Sequence, residues 1–410
     1  MPGLYIHIPF CEKKCIYCDF YSIEKTSLMD EFLNAVCKEM DMVAGITKPA
    51  CTFSSVFLGG GTPSLMTPAQ LESLFAVLHR NYSIAADAEI TMECNPGTID
   101  SEKLCGYKSL GVNRLSFGVQ SFHADELAFL GRIHNAEQAR EGVALAKTAG
   151  FENINVDLMF ALPMHTRERW EFTLQQACSL DVQHISAYSL IYEEGTPLYT
   201  QLQHKEVTPI DEELDAELSL FTSEFLCAHG YEQYEVSNFA RPRSVRRNVN
   251  NVLAIAGNRS NENSINDAIY TCRHNMNYWQ CGEYLSFGPS AHSYWKSERR
   301  WNISNLASYM NAVRDNTLPV GNQEKITQEQ AMVEYISLGL RSNGISLRRF
   351  QELFSFDFFS RYAREISSFT DSGLLTPNGG DRIRCTPKGY LWCDTLTLAF
   401  LRDITIMHGN

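Results

Sequence analysis

The sequence predicts an α/β protein whose strands lie parallel in one sheet. Two observations support this prediction. Short apolar segments of strand character recur through the first half of the chain, and segments with helical spacing of apolar residues separate them. Because this alternation is typical of crossover units, we expect either an open doubly wound sheet or part of a barrel. The candidate strands cover residues 4–8, 54–58, 88–93, 113–119, 153–159 and 184–190.

Helices are predicted where apolar residues return every three or four positions. Such segments cover residues 28–43, 68–80, 136–149, 167–180 and, after the sixth strand, 211–229. In either kind of parallel sheet, ligands bind beyond the carboxyl ends of the strands. Cysteine, glycine and polar residues follow the predicted strands at these places, so we expect the functional site there.

Beyond the sixth strand the composition of the chain changes twice. Residues 243–271 are polar and rich in asparagine, which predicts a long surface insertion or loop. From about residue 326, helical segments are followed by two short strand segments, which predicts a small, mostly helical, winged-helix-like domain with a packing or substrate-covering role. We therefore expect three parts: residues 1–235 with the strands, 236–325 as an extension that contains the insertion, and 326–410.

Composition limits the classes of function. The chain has 410 residues and a formal net charge of -13, so a broad surface for nucleic acid or an anionic membrane is not expected. No apolar run approaches the roughly 20 residues that span a bilayer. We expect no transmembrane segment and no signal peptide, while peripheral contact with a membrane stays open. The thirteen cysteines, three of them in one polar loop, favour the reducing cytoplasm over a disulfide scaffold.

The most specific motif follows the first predicted strand, where Cys11, Cys15 and Cys18 have the spacing C-x3-C-x2-C. Three thiolates can hold three irons of a four-iron cluster and leave the fourth iron open to a ligand. Ordinary core cysteines are less consistent with the charged residues between them. A structural zinc site, with His7 or a distant cysteine as fourth ligand, is the stronger alternative. The spacing favours the cluster.

This spacing after an amino-terminal strand resembles the signature of the radical SAM superfamily. The string LYIHIPFC at residues 4–11 is similar to the branch that contains the oxygen-independent coproporphyrinogen III oxidases and the HemW-type haem chaperones. The resemblance implies a partial (β/α)6 barrel, a [4Fe-4S] cluster on the three cysteines, and S-adenosylmethionine (SAM) at the open iron. A reduced cluster would then cleave SAM by one-electron transfer to give methionine and a 5′-deoxyadenosyl radical.

Residues at the ends of the predicted strands supply the SAM contacts that this resemblance implies. Singly, a glycine turn only joins a strand to a helix, and a lone polar residue is more often a cap or an ion-pair partner. Together they offer what a zwitterionic ligand with a ribose requires. The blocks GGGTP, ExNP, GVQSF, LGRxH and NxDL are similar to those of the family. On that resemblance we assign SAM binding to Gly60, Gly61, Thr62, Glu93, Gln120, Arg132 and Asp157, with Tyr5 as a weaker addition.

Three features favour the HemW type over the oxidases. Oxidases carry a further cysteine where this chain has Phe20, and they have an amino-terminal extension for which the residues before the first strand leave no room. The motif HNMNYW at residues 274–279 is similar to the HNxxYW motif of HemW proteins, whose histidine is implicated in haem binding. His274 is therefore the implied haem ligand, although a buried histidine in an aromatic cluster is the simpler interpretation of the motif alone. His292 is a second candidate.

The resemblance thus implies a haem chaperone that binds haem, the cluster and SAM and transfers haem to acceptor proteins. A one-electron reductant would be a further partner, and no nucleic acid is expected. The main alternative is an oxygen-independent coproporphyrinogen III oxidase, which decarboxylates the propionates of its substrate. A radical SAM methyltransferase is a third possibility. No catalytic residue is assigned, and whether the protein acts as an enzyme stays open.

Overall fold

The structure is a computed structural model that describes residues 1–47, 49–243, 269–378 and 380–406. Most of the predicted insertion, residues 244–268, lies outside the described residues. Within those ranges, no helix combines the length and the apolar character that crossing a bilayer requires.

Six parallel strands form the centre of a twelve-stranded sheet and neighbour one another in chain order. The predicted α/β class and all six predicted strands are confirmed. β3 begins earlier than predicted because the first residues of this strand are largely exposed, so no apolar run marks them. The strands are β1 (Gly3–Ile8), β2 (Thr52–Gly60), β3 (Ser83–Cys94), β4 (Arg114–Gln120), β5 (Ile154–Phe160) and β6 (His184–Ser189).

Helices connect these strands, and the longer ones bury an apolar stripe. In the first helix, Phe32, Val36 and Met40 recur at helical spacing and are fully buried. Side chains also determine where helices begin, since Thr67 and Gln70 form a capping box at the start of the second helix. The connecting helices are α1 (Met29–Thr47), α2 (Pro68–Asn81), α3 (Ser101–Ser109), α4 (Ala124–Phe129), α5 (Ala136–Thr148) and α6 (Arg167–Ser179).

The sheet continues beyond the parallel strands at both edges. The further elements are α7 (Pro197–Gln203), α8 (Glu212–Ala228), β7 (Glu232–Gln233), β8 (Asn238–Ala240), α9 (Arg273–Trp279), β9 (Tyr284–Phe287), β10 (His292–Trp295), β11 (Glu298–Asn302), α10 (Leu306–Arg314) and β12 (Val320–Lys325). At one edge β9 pairs in parallel with β1, and β10, β11 and β12 follow as antiparallel neighbours. At the other edge β8 and β7 extend the sheet from β6. Helix α9, which carries the HNMNYW motif, packs against β2.

The carboxyl-terminal region is mostly helical, contains a three-stranded sheet of order β13-β15-β14, and has a hydrophobic core of its own. Its elements are α11 (Gln328–Leu340), β13 (Ile345–Ser346), α12 (Leu347–Phe354), α13 (Phe358–Arg361), α14 (Ala363–Asp371), β14 (Leu375–Asn378), β15 (Arg382–Cys385), α15 (Pro387–Tyr390) and α16 (Cys393–Ile406). Helices with a β-hairpin were predicted here. The limits of the three parts, 1–235, 236–325 and 326–410, stay predictions.

Candidate functional site

A cavity of about 530 Å³ lies at the carboxyl ends of the parallel strands. Its walls come from these strands, from the loop after β1 and from helix α9. The site residues assigned from the sequence line this cavity: Tyr5, Cys11, Cys15, Cys18, Gly60, Gly61, Thr62, Glu93, Gln120, Arg132, Asp157 and His274. The second haem candidate, His292, lines a neighbouring cavity instead. The tertiary structure therefore brings the predicted cluster, SAM and haem residues together, while the ligand assigned to each of them stays a prediction. We call this space the cluster cavity.

The cysteine loop leaves β1 and is anchored by backbone hydrogen bonds. The N–H of Cys11 donates to the carbonyl of Ile23 (3.0 Å), and the N–H of Ile23 donates to the carbonyl two residues before Cys11 (2.8 Å). Two neighbouring side chains approach the thiols. Oγ1 of Thr62 lies 3.6 Å from Sγ of Cys11, and Nη1 of Arg132 lies 3.4 Å from Sγ of Cys15. Such donors stabilise a thiolate, which is the form that binds iron.

His7 gives no support to the zinc alternative. Its Nε2 lies 2.8 Å from the backbone oxygen of Tyr21 and its Nδ1 lies 3.1 Å from the hydroxyl of Tyr5, so both ring nitrogens have partners. Among the described residues, no three or more His, Cys, Asp or Glu side chains are arranged to hold a single metal ion. A four-iron cluster does not require such an arrangement, because each cysteine binds a different iron. The loop fits the cluster better than it fits zinc.

Gly60 and Gly61 are required because the end of β2 closely approaches β1 and the residues that lead into the cysteine loop. Gly60 has a φ of +111°, and a Cβ at this position would lie 2.6 Å from the ring of His7. A Cβ on Gly61 would lie 2.5 Å from the carbonyl oxygen of Phe10. The N–H of Gly60 also donates to Oε2 of Glu93 (3.0 Å). The two glycines thus let the backbone lie between the cysteine loop and a carboxylate, where a ligand can contact it closely.

Glu93 and Asp157 are two buried carboxyl groups that line the cluster cavity. Burial raises the pKa of Glu93 to about 8, and the charge of Asp157 adds to this rise. Burial also raises the pKa of Asp157, although Asn155 and Ser116 donate hydrogen bonds of 2.8 and 3.1 Å to its carboxylate. Two carboxylates in one desolvated cavity are stabilised by a cationic ligand that carries hydroxyl groups. The ammonium, sulfonium and ribose of SAM fit this requirement.

Arg132 and Gln120 border the same cavity near the end of β4. Nη2 of Arg132 donates to the carbonyl of Gly118 (2.6 Å) and to Oδ1 of Asn95 (3.3 Å). Its Nε is buried and has no hydrogen-bond partner among the described residues. Gln120 has a φ of +67°, an unfavourable conformation for a residue with a side chain. Because unpaired buried donors and local strain concentrate at functional sites, the pair fits a ligand that bears a carboxylate.

Helix α9 places His274 in an aromatic setting at one wall of the cavity. Its ring stacks on Phe57, with centroids 5.1 Å apart. Its Nδ1 lies 2.9 Å from Oγ of Ser55, and its Nε2 lies 2.8 Å from the hydroxyl of Tyr278. Only 1% of the residue is exposed, and burial lowers its pKa to about 3. The imidazole is therefore neutral, as iron ligation requires, but both of its nitrogens already have hydrogen-bond partners.

Polar residues that were not predicted from the sequence also face the cavity from inside the strands. Arg114 lines the cavity, is 2% exposed, and has no hydrogen-bond partner for its Nε among the described residues. Asn155 donates to Oγ of Ser116 (2.7 Å), and both also line the cavity. The sequence pattern that could have identified those of β4 is the alternation of side chains along a strand. Arg114, Ser116 and Gln120 lie an even number of residues apart in β4 and share one face.

The cysteine loop, the glycine run and the paired carboxylates at the ends of parallel strands define a radical SAM protein. In agreement, residues 5–177 match the model of the Radical SAM superfamily, and residues 326–392 match that of the HemN C-terminal domain. The chain belongs to the HemW family within this class. It is 34% identical to heme chaperone HemW from Bacillus subtilis (strain 168), over 98% of this chain and 100% of that relative.

Two other known proteins are similar over nearly the whole chain. The mitochondrial radical S-adenosyl methionine domain-containing protein 1 of Bos taurus is 32% identical, over 97% of this chain and 87% of that relative. Among solved structures, coproporphyrinogen III oxidase (HemN) from Escherichia coli has a TM-score of 0.78 and 23% identity, over 97% of this chain and 90% of that one. At that identity the likeness shows the fold alone, which is the predicted partial barrel with a mostly helical carboxyl-terminal region.

Proposed function

We propose that this protein is a haem chaperone that binds haem and transfers it to acceptor proteins. A [4Fe-4S] cluster and SAM would assist or regulate the transfer. The observation that carries the proposal is that the cysteine loop and the HNMNYW helix line one cavity. The name of the bacterial relatives, heme chaperone, supports haem as the cargo. Whether SAM is consumed during transfer is a separate question, which an assay for 5′-deoxyadenosine answers.

The residues of the cluster cavity would hold the cofactors through complementary charge. Cys11, Cys15 and Cys18 would bind the cluster, and the carboxylates of Glu93 and Asp157 would balance the positive charge of SAM. When bound, the cluster and SAM supply one-electron chemistry. The protein orients them and excludes water. The remaining SAM contacts in this proposal come from Tyr5, Gly60, Gly61, Thr62, Gln120 and Arg132.

His274 stays the predicted haem ligand within this proposal. Its Nε2 can bind iron only if it first gives up its contact with the hydroxyl of Tyr278, because its Nδ1 contacts Ser55. A hydrogen bond of this kind stabilises a protein by about 1 kcal/mol, so the exchange is energetically accessible. The ring must also become exposed, which requires movement of helix α9.

The alternative function, oxygen-independent coproporphyrinogen III oxidase, has the likeness of fold in its favour. Phe20 argues against it, since oxidases carry a further cysteine at this position. Phe20 lines the cluster cavity and is 63% exposed. An apolar ring at that place suits a flat apolar cargo better than it suits a further metal ligand. No specific observation favours the third possibility, a methyltransferase.

Haem titration under anaerobic conditions tests the proposed function. We expect the cluster-loaded protein to bind haem with a saturable change in absorption and to pass it to an apo-haemoprotein, whose own spectrum then appears. Matched samples without this protein control for spontaneous transfer. In parallel, the reduced, SAM-loaded protein is incubated with coproporphyrinogen III. Failure to bind haem contradicts the proposal, and efficient formation of protoporphyrinogen supports the oxidase instead.

The free thiols indicate the cellular compartment in which this protein acts. None of the thirteen cysteines forms a disulfide bond, including the three of the cysteine loop. Because thiols persist in reducing compartments, we propose the cytoplasm as the location. The proposed partners are haem, a haem-acceptor protein and a one-electron reductant.

A further inference from the structure

A second cavity, of about 500 Å³, lies beside the cluster cavity. It is bounded by β9, β10 and β11 on one side and by helix α11 of the carboxyl-terminal region on the other, through Glu334 and Leu338. Tyr5, Asp19, Phe20 and Tyr278 line both cavities, so the two spaces are adjacent. Its volume falls within the range of small-molecule sites, roughly 300 to 1,000 Å³. We call it the aromatic cavity.

Tyrosine rings form much of the wall of the aromatic cavity. Tyr278 and Tyr284 meet edge to face with centroids 4.5 Å apart, and Tyr294 follows at 6.4 Å from Tyr284. Rings of this kind offer large, rigid apolar surfaces on which another flat π-system can stack. The wall therefore suits a flat aromatic ligand better than a flexible or strongly hydrated one.

His292 supplies the metal-binding chemistry of this cavity. It lines the cavity, is exposed, and stacks on Trp301 with centroids 5.6 Å apart. Its ring nitrogens have no hydrogen-bond partner in the described part of the chain. Partial desolvation of the ring lowers its pKa, and the charge of Arg299 acts in the same direction; both favour the neutral imidazole. In contrast, His274 is buried and both of its nitrogens have partners.

The positive charge in the wall of the aromatic cavity is already paired, and Asp19 adds a further carboxyl group there. Arg299 donates to both carboxylate oxygens of Glu334 at 2.9 Å and to Glu324 at 3.3 Å. We therefore assign no ligand carboxylate to Arg299. Since His292 and Phe20 are exposed, the cavity opens to solvent, and carboxylates at the rim of a ligand can remain in water.

We propose that the aromatic cavity also holds haem, at a position separate from the one predicted at His274, with a ring nitrogen of His292 on the iron and the rings of Tyr278, Tyr284 and Tyr294 against the macrocycle. This inference rests on the proposed haem-chaperone function and specifies where the cargo is held. It also gives Tyr278 a connecting position. The ring of Tyr278 would contact the haem in the aromatic cavity, while its hydroxyl contacts Nε2 of His274 in the cluster cavity.

Haem titrations of single variants test this inference. We expect His292→Ala to weaken haem binding at least tenfold and to lose the absorption features of imidazole ligation. His292→Gly should regain those features when free imidazole is added. The matched control is His229→Ala, because His229 is also exposed and stacks on a phenylalanine, at 4.1 Å, but lies in neither cavity. This control should bind haem like the parent protein.

A cavity-filling variant provides a second measurement that leaves every histidine in place. Leu338→Trp places a bulky ring in the aromatic cavity from the side of α11, and we expect it to weaken haem binding while cluster content and thermal stability are retained. The inference is overturned if the His292 variants and Leu338→Trp bind haem like the parent while His274→Ala does not. That result would leave the proposed function intact. If the parent protein itself binds no haem, the proposed function fails first.

Discussion

Oε1 of Glu89 accepts a hydrogen bond of 3.2 Å from the backbone N–H of His274, across 185 positions of the sequence. Its Oε2 accepts the N–H of Arg273 at 3.1 Å. Cys272, which precedes helix α9, provides no side-chain cap. The buried carboxylate of β3 therefore binds the first free N–H groups of the helix and complements the positive end of its dipole. Glu89 fixes the helix that carries the predicted haem ligand.

Replacing Glu89 with alanine should loosen this helix. We expect Glu89→Ala to lower the free energy of unfolding by about 1–3 kcal/mol, because a cap is lost and buried N–H groups lose their partner. Amide hydrogen exchange at residues 273–274 should accelerate. Glu137→Ala is the matched control, since Glu137 lies in the first turn of α5 but is exposed, and it should change stability by less than about 0.5 kcal/mol. Unchanged exchange in α9 of the Glu89 variant would refute the capping role.

The glycine run allows strain to be separated from steric clash. Gly60→Ala adds a Cβ at a φ of +111° and against the ring of His7, whereas Gly150→Ala adds one at +87° with no atom within 4 Å. We expect Gly150→Ala to cost about 1 kcal/mol from the backbone alone. Gly60→Ala should cost clearly more and should also reduce iron content, because the clash displaces the ring of His7, which contacts the backbone of Tyr21 just after the cysteine loop. Chemical denaturation and iron assay measure both effects. Equal costs at the two positions would mean that the loop accommodates the extra atom.

A buried carboxyl makes stability depend on pH. Glu39 accepts hydrogen bonds from Gly288 (2.9 Å), Asn302 (2.6 Å) and Tyr309 (2.6 Å), and burial raises its pKa from 4.5 to about 7. The folded protein thus holds this proton more tightly than the unfolded chain does. The stabilisation is complete below pH 4.5 and declines as pH rises to about 7, by up to about 3 kcal/mol.

Glu39→Gln removes this titration and keeps the shape of the side chain. Unfolding free energies of the parent and the variant should be measured from pH 4.5 to pH 7.5. We expect the parent to lose stability relative to the variant as pH rises, since contributions from other buried acids cancel in the difference. Parallel pH profiles would show that the Glu39 carboxyl titrates near its ordinary value in the folded protein.

The cluster prediction can be tested by metal content. Anaerobically reconstituted parent protein should contain about four irons and four sulfides per chain. Replacement of Cys11, Cys15 or Cys18 by alanine should remove most of both, because three ligands are the minimum for this site. Cys105→Ala is the control, since this thiol is exposed and lies outside the loop. Zinc in place of iron, or full iron content in any of the three variants, would reject the cluster.

Prediction and structure agree best for features that depend on residues close together in the sequence. Alternation of apolar and polar residues determines which face of a strand is buried, and spacing of apolar residues determines a helix, so the six strands and the principal helices could be predicted. Cysteine spacing within one loop is local in the same sense. Because parallel strands align their carboxyl ends, the sequence also predicted that residues as distant as Cys11 and Asp157 share one cavity.

What the sequence alone determined is therefore the α/β class, the cysteine loop and the set of residues at the strand ends. Only the tertiary structure decided that Glu89 caps α9, that both nitrogens of His274 are occupied, and that His292 borders a separate aromatic cavity. These relationships depend on side chains far apart in the chain, whose distances follow from packing of whole elements. No local pattern of residue types encodes such distances, because the same pattern is compatible with many arrangements of the elements.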